Sequence, residues 1–281
     1  MKATTSTART SIALALVLFA AVAAKSVPGM QQPQPAHTPA PPQTENKIGS
    51  ASHILPQRAN FQMPYGQSLH YEGEWRFFTA GVSTVKIERV GNQNHVTATA
   101  DSTGVVAVLY RVADRFESFV DAKTLCSSRI VKHTEEGSHR RDTVITFDYA
   151  RGKSVLDEHN LKTNEEKKVE NDIPNCVTDV ISGILYVASL PLQVGATYMF
   201  PLNDGGNTVT VKANVEGKEQ VKTPAGTFQT LRIGSEGNAG VLKNRGRIWI
   251  WYTDDEQHIP VQMRAKLLWG TLTVYLTSVT K

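Results

Sequence analysis

Residues 69–77, with the sequence LHYEGEWRF, alternate between two classes of side chain. Counting from Leu69, every second residue is apolar or glycine, and the residues between them are histidine, glutamate and arginine. Because successive side chains of an extended strand point to opposite faces, this pattern predicts a half-buried β-strand. The same alternation returns at residues 208–215 and 261–269. We therefore expect antiparallel strands with one face packed against the core and the other face exposed to solvent.

Turn-forming residues stand where the two-residue period breaks, and they predict short hairpins at Glu136-Gly137, Arg151-Gly152 and Pro224-Ala225-Gly226. One segment has a different period. Between Pro174 and Pro191, apolar residues recur every three and four positions from 177 to 188, which predicts an amphipathic helix. Its N-cap is expected at Asn175 or Thr178. Residues 105–112 fit a strand or a short helix equally well.

These elements predict a mainly β fold: a curved antiparallel sheet or partly open barrel, with one main amphipathic helix packed against it. In such a fold the apolar face of the helix packs against the concave face of the sheet, so both apolar surfaces are buried. A chain segment of this size can form one domain, so residues 61–281 are expected to be a single β-rich unit.

The N-terminus is typical of an exported protein. Lys2 and Arg9 precede an apolar run from residue 12 to 24 that ends in small residues, which predicts a signal peptide over residues 1–24. Residues 25–60 are rich in proline and predict a disordered linker. We expect a periplasmic or secreted protein without a transmembrane span once the signal is removed. An uncleaved N-terminal anchor is the alternative.

The net charge of +4 falls to about +2 without Lys2 and Arg9, and acidic and basic residues alternate along the chain. This balance argues against a nucleic-acid partner, which would select a basic patch. Cys126 and Cys176 are expected to form a disulfide in an oxidising compartment; two buried free thiols or a reactive thiol are the alternatives. With no Cys-x-x-Cys pair and scattered histidines, neither a metal site nor a cofactor is predicted.

Enzyme motifs are missing from the sequence, which contains no Gly-x-Ser-x-Gly elbow, His-Glu-x-x-His or phosphate-binding loop. Ser182, His258 and Asp255 could form a triad only through the fold, and Ser182 falls in the predicted apolar helix. No catalytic residue is therefore predicted, and we expect a protein that is not an enzyme. Trp249 and Trp251 share one face of a predicted strand whose other face is also apolar, so they are candidate ligand-binding residues.

Several motifs follow one another in an order that resembles the DUF3108 family of exported bacterial proteins of unknown function. They are Phe147-Asp148-Tyr149 with Gly152-Lys153, residues 179–186, Leu190-Pro191-Leu192 with Gly195, residues 223–228, Ile248-Trp249-Ile250 with Asp254-Asp255, and Ile259-Pro260-Val261. The resemblance extends from about Tyr65 to the end of the chain. It implies an antiparallel β architecture and a location in the cell envelope, and it supplies no catalytic residues.

Three functions remain open at this point. The first is a non-enzymatic envelope protein that binds a lipid or another hydrophobic or amphipathic ligand inside the curved sheet, with the helix as a plug. The second is an interaction or scaffold module that the proline-rich linker presents to a protein partner in the envelope. An envelope hydrolase is third, and it would need a cluster of polar side chains at a pocket.

Overall fold

A computed structural model describes residues 53–75, 78–203, 207–237, 247–267 and 270–281. Within these ranges the chain forms two helices and fourteen strands. The helices are α1 (Gly104–Leu109) and α2 (Val180–Ser189). The strands are β1 (Ser68–Trp75), β2 (Phe78–Val90), β3 (Gln93–Ser102), β4 (Ala113–Asp121), β5 (Ser127–Glu136), β6 (His139–Asp148), β7 (Lys153–Asn160), β8 (Glu165–Asp172), β9 (Thr197–Asn203), β10 (Thr208–Thr223), β11 (Gly226–Gly237), β12 (Ile248–Thr253), β13 (Pro260–Leu267) and β14 (Gly270–Thr280).

All fourteen strands belong to one antiparallel sheet in the order β8-β7-β6-β5-β4-β3-β2-β1-β14-β13-β12-β11-β10-β9. Neighbours in the sheet are neighbours in sequence except at one place, where β1 pairs with β14 in a register that joins Ser68 to Thr280 and Trp75 to Leu272. The prediction of a mainly β, curved antiparallel fold is confirmed. The predicted hairpin at Glu136-Gly137 is present, and Gly137 adopts a φ of +58° that a side chain would disfavour.

Alternation along the strands builds the core. In β3 the residues Val96, Ala98 and Ala100 are buried, whereas the residues between them are only partly covered. The largest cluster of buried apolar side chains draws on β1 to β4, on β9 to β14 and on α2. A smaller cluster lies between β5, β6 and β7. The sheet therefore curls around a single main core, with β5 to β8 adding a lesser one beside it.

Helix α2 packs inside the curved sheet. Eight of its ten residues are buried, and the other two, Val180 and Ile184, are half-buried. The helix is therefore buried on nearly all sides because sheet residues surround it, whereas an amphipathic helix would expose one face to solvent. Neither Asn175 nor Thr178 caps the helix. The N-cap is Asp179, whose side chain accepts hydrogen bonds from the backbone N–H groups of Ile181 and Ser182.

The segment before α2 connects β5 to the edge strand β9. The Ser127 N–H donates to the Val177 carbonyl at 2.9 Å, the Thr178 N–H donates to the Pro201 carbonyl at 3.0 Å, and the Asn203 N–H donates to the Thr178 carbonyl at 2.8 Å. The disulfide between Cys126 and Cys176 joins the start of β5 to this same segment. Closing a loop of 50 residues contributes about 4 kcal/mol in the chain-entropy account.

Residues 53–67, here called the strap, run across one end of the curved sheet without regular secondary structure. The Arg58 N–H donates to the Ser189 carbonyl at the end of α2, and the Gly66 N–H donates to the Ile87 carbonyl of β2. Ile54 and Leu55 pack against the main core. Residues 53–60 of the predicted 25–60 linker thus contact the domain that was expected to begin at residue 61. The signal peptide and residues 25–52 lie outside the described residues.

Residues 105–112, which the sequence left open between strand and helix, begin with the short helix α1. It packs against β2. The preceding Thr103 N–H donates to the Ala80 carbonyl near the start of β2, whereas the strap bonds Ile87 near the end of that strand. The α1 residues Val105, Val108 and Leu109 are 67, 86 and 79 % exposed. The helix therefore covers the sheet with its other side and presents an apolar surface to solvent.

Candidate functional site

An apolar cavity of about 40 Å³ lies between α2, the sheet and the strap. Helix α2 contributes Ile181, Ile184, Leu185 and Ala188 to its wall. The sheet contributes Leu69, Tyr71, Val85, Ile87 and Met263. The strap contributes Phe61 and Pro64, and residues 257–260, at the end of the loop between β12 and β13 and the start of β13, contribute the rest. The strands face it with the inward side of their alternating pattern.

Few polar atoms reach this wall. Tyr71 presents its ring, because its hydroxyl donates a hydrogen bond to the Pro260 carbonyl at 2.9 Å. Gln257 and His258 are the polar residues among those that line the cavity. Water gains little in such a space, since it needs two to four polar partners to be stable there. The arrangement suits an apolar group.

His258 is buried, and its ring has a defined tautomer. Nδ1 lies 2.7 Å from the Ala188 carbonyl oxygen, which can only accept, so Nδ1 carries the proton. Nε2 is then the hydrogen-bond acceptor of the ring. Burial lowers the pKa of His258, which favours the neutral form in which this assignment holds. The backbone at His258 has a φ of +46°, and the loop holds it there because Asp255 Oδ1 accepts from the His258 N–H.

A buried polar network fixes the other end of α2 to the sheet. Asp179 Oδ2 accepts hydrogen bonds from the hydroxyls of Ser118 on β4 and Ser127 on β5, at 2.6 and 2.7 Å. The Asp179 N–H contacts Ser127 Oγ and Ser182 Oγ, both at 2.8 Å. A buried carboxylate that receives this many donors is a structural anchor, since each donor offsets part of its desolvation. The position of the helix, and with it the cavity wall, is set here.

The structure does not bring Ser182, His258 and Asp255 together as a triad. Ser182 belongs to the Asp179 network, the His258 ring donates to Ala188, and Asp255 bonds the backbone of His258 rather than its ring. Within the part of the chain that the structure describes, no group of three or more histidine, cysteine, aspartate or glutamate residues has the arrangement of a metal site.

Trp249 and Trp251 lie on the outward face of β12. Ile250 pairs with Met263, which lines the cavity, so the two tryptophans point to the opposite side of the strand. The Trp251 indole N–H donates to Glu219 at 2.6 Å, and the guanidinium carbon of Arg264 lies 5.3 Å from the centre of its ring. Neither tryptophan lines the cavity. Trp251 is buried and belongs to the main apolar cluster, and Trp249 packs against that cluster, while charged side chains also contact both rings.

The arrangement of these charged side chains also depends on a glycine. Glu216 on β10 pairs with Arg232 at 2.8 Å and with Arg247, and its carboxylate lies over Gly234. A Cβ at position 234 would stand 2.0 Å from Glu216 Oε1. The absence of a side chain at Gly234 lets the two ion pairs cross the strand, and the Arg247 guanidinium in turn stacks 5.4 Å from the Trp249 ring centre.

A second buried acid lies near α1. Asp114 on β4 is fully buried, and its Oδ1 accepts from the Glu135 N–H at 2.8 Å. Burial, followed by the negative charge of Glu136, raises the pKa of Asp114 to about 7; Asp101 acts in the same direction, while the bond from Glu135 and the charge of Arg115 oppose it. Asp114 does not line the cavity.

Two parts of the site could not be assigned from sequence patterns. Residues 53–60 of the strap fall in the predicted linker, because Pro56 and the polar residues around it resemble the segment before it, whereas Phe61 begins the predicted domain. Ile54 and Leu55 were the available signal. The loop that brings His258 inward is polar in sequence, and the adjoining sequence HIPV gives only a weak sign that it returns to the core.

The geometry defines a class of protein: one antiparallel sheet wrapped around a buried helix, with an apolar cavity under an N-terminal strap. The chain belongs to the DUF3108 family, described as a protein of unknown function, whose family model matches residues 69–277. The resemblance seen in the sequence is therefore confirmed. No curated protein matches the chain. Among the described residues, no helix has the length and apolar character needed to cross a membrane.

Solved structures that are similar to this chain have low sequence identity to it. A beta-barrel-like protein of the domain of unknown function DUF1849 from Brucella abortus is 11% identical, with a TM-score of 0.56 over 82% of this chain and 99% of that chain. A candidate exported protein with a YmcC-like fold from Bacteroides fragilis is 11% identical, with a TM-score of 0.32 over 82% and 100% of the chains. A candidate lipoprotein from Parabacteroides distasonis is 9% identical, with a TM-score of 0.31 over the same shares.

Proposed function

We propose that this chain is a non-enzymatic protein of the cell envelope, periplasmic or secreted, that binds a hydrophobic or amphipathic ligand in the cavity beside α2. The observation that carries the proposal is the wall of that cavity, which is apolar except for Gln257 and His258. The location rests on the signal peptide predicted over residues 1–24. Pockets for small molecules are typically apolar and carry few polar groups, as this one does.

The manner of closure also supports ligand entry. The strap contributes Phe61 and Pro64 to the wall but makes no strand pairing, and isolated backbone bonds such as Gln62 N–H to the Glu256 carbonyl hold it in place. Segments with few backbone bonds open at lower free energy than paired strands. At about 40 Å³ the cavity is far smaller than typical ligand pockets of roughly 300–1,000 Å³. A ligand would therefore enter as the strap moves outward.

The proposal is tested by uptake of N-phenyl-1-naphthylamine, an uncharged dye that fluoresces in apolar surroundings. The mature protein is expected to bind it. Val85→Phe is expected to weaken this binding about tenfold or more, because the larger ring points into the cavity and fills it. The control is Val82→Phe, the same substitution on the same strand at a residue that is 42% exposed. Equal dye binding by the two variants would exclude the cavity as the site.

Native ligand is sought separately. Organic extraction of protein purified from its own envelope, followed by mass spectrometry, should release an apolar compound from the wild type and less from Val85→Phe. Clean extracts from repeated wild-type preparations would count against a resident ligand.

The exposed apolar side of α1 favours a second candidate, an envelope interaction module. Val105, Val108 and Leu109 stand together on this helix and are among the most exposed large apolar side chains described. Crosslinking in intact cells should capture a reproducible protein partner through a photoreactive residue at position 108. The same probe at Val194, an exposed valine outside α1, is the control; identical capture at both sites would remove α1 from the argument.

A further inference from the structure

The strap holds a cation at the rim of the cavity. Arg58 Nη2 donates to the carbonyl oxygens of Asp255 and Glu256, at 3.0 and 2.7 Å. The residues that follow in the chain, 257–260, line the cavity. The guanidinium carbon also lies 5.9 Å from the centre of the Phe61 ring, and Phe61 is part of the wall. The charge of Arg58 therefore stands where the cavity meets the strap.

This cation is incompletely paired. Among the described residues, no carboxylate oxygen lies within ion-pair distance of the Arg58 guanidinium, and its buried Nε–H has no acceptor. The carboxylates of Asp255 and Glu256 attract it from farther away. One oxygen of each accepts hydrogen bonds from neutral groups: Asp255 Oδ1 from Thr253 and backbone N–H groups, and Glu256 Oε2 from Gln62. Partial burial lowers the pKa of Arg58, yet the group stays charged at neutral pH.

A buried donor on a cation that lacks an acceptor is unusual in a folded protein, and it favours a ligand that supplies the acceptor. Guanidinium groups match the planar oxygens of carboxylates and the oxygens of phosphates. His258 cannot take this role, because its free ring nitrogen is itself an acceptor. An anion at the rim would thus meet Arg58 while the rest of the ligand meets the apolar wall.

We propose that the cavity receives one acyl chain whose anionic head group, a carboxylate or a phosphate, is held by Arg58 at the rim. This inference rests on the proposed function and assigns the chemical class of its ligand. The strap, which contributes both Arg58 and Phe61, has to move outward for the chain to enter, so head-group binding and closure over the ligand involve the same segment.

The test is displacement of N-phenyl-1-naphthylamine from the mature protein at about pH 8 by four twelve-carbon compounds: dodecanoate, dodecyl phosphate, dodecanol and dodecyltrimethylammonium. The two anions are expected to displace the dye at concentrations at least about tenfold lower than dodecanol, as a charge-assisted hydrogen bond implies. The cation should be the weakest. Comparison of dodecanoate with dodecyl phosphate shows which anionic head is preferred.

Arg58→Gln removes the charge and is expected to bring dodecanoate and dodecanol within about threefold of each other, because only the anion loses its partner. Arg111→Gln, at an exposed arginine near α1, should keep the wild-type preference. If circular dichroism shows that Arg58→Gln does not fold, the four-compound comparison on the wild type still decides whether an anionic head group is preferred.

The outcomes separate the two proposals. No dye uptake by the wild type would overturn the proposed function. Dye uptake with equal displacement by dodecanoate and dodecanol would leave that function standing and overturn the anionic head group. An anion preference that survives in Arg58→Gln would overturn the assignment of Arg58.

Discussion

Replacing Asp179 by alanine removes the anchor between α2 and the sheet. The lost contacts are the bonds from the Ile181 and Ser182 N–H groups to Oδ1, at 2.8 and 3.0 Å, and those from the Ser118 and Ser127 hydroxyls to Oδ2. Loss of an N-cap costs about 1 kcal/mol. Each buried hydroxyl that loses a charged acceptor adds about 1–2 kcal/mol after it rotates toward another partner. The free energy of unfolding should therefore fall by about 3–5 kcal/mol.

The measurement is urea denaturation of the mature protein with its disulfide intact, followed by circular dichroism. Asp179→Asn keeps the oxygen that caps the helix, so it should lose only about half as much as the alanine variant. The control is Ser189→Ala, at the far end of α2, where one bond to the Tyr186 carbonyl is lost at a cost of about 1 kcal/mol. A loss below about 1 kcal/mol for Asp179→Ala would refute the anchor.

Two further substitutions test features away from the cavity. Because the pKa of Asp114 is about 7 in the folded protein and 3.8 in the unfolded chain, the folded state keeps its proton longer, and this group lowers stability as pH rises from about 4 to 7. Asp114→Asn should raise the free energy of unfolding at about pH 8 and change it little at about pH 4; an equal effect at both would contradict the pKa assignment. Gly234→Ala should displace the Glu216 carboxylate from its ion pairs and cost about 1 kcal/mol in urea denaturation. Glu216→Gln in the alanine background should then add little; a full additional loss would show that the pairs had survived.

Local patterns predicted the strands and the helix well. The alternation at residues 208–215 became part of β10, and the three- and four-residue spacing before Pro191 became α2. The cap was misplaced at Asn175 or Thr178, because acceptors at several neighbouring positions can cap a helix and only packing selects one. Here Ser118 and Ser127, more than fifty residues earlier, make Asp179 the residue whose burial is compensated.

The placement of Trp249 and Trp251 shows a different limit. Both faces of β12 are apolar in sequence, so alternation alone does not say which face is inward. Pairing with β13 decides it, since Ile250 lies opposite Met263 on the cavity side. The two tryptophans are instead covered on the outside by arginine side chains, a role that their sequence neighbours did not reveal.

The amino-acid sequence by itself determined where strands, turns and the helix lie, because these depend on periodicity and on residues close together in the chain. It also determined the family. The tertiary structure decided which strands meet, that β1 closes onto β14, and that the strap returns over α2. These contacts join residues up to about two hundred positions apart, and they are selected by packing and by the pairing of buried polar groups rather than by local preference. The cavity and the position of Arg58 beside it were likewise decided by the tertiary structure.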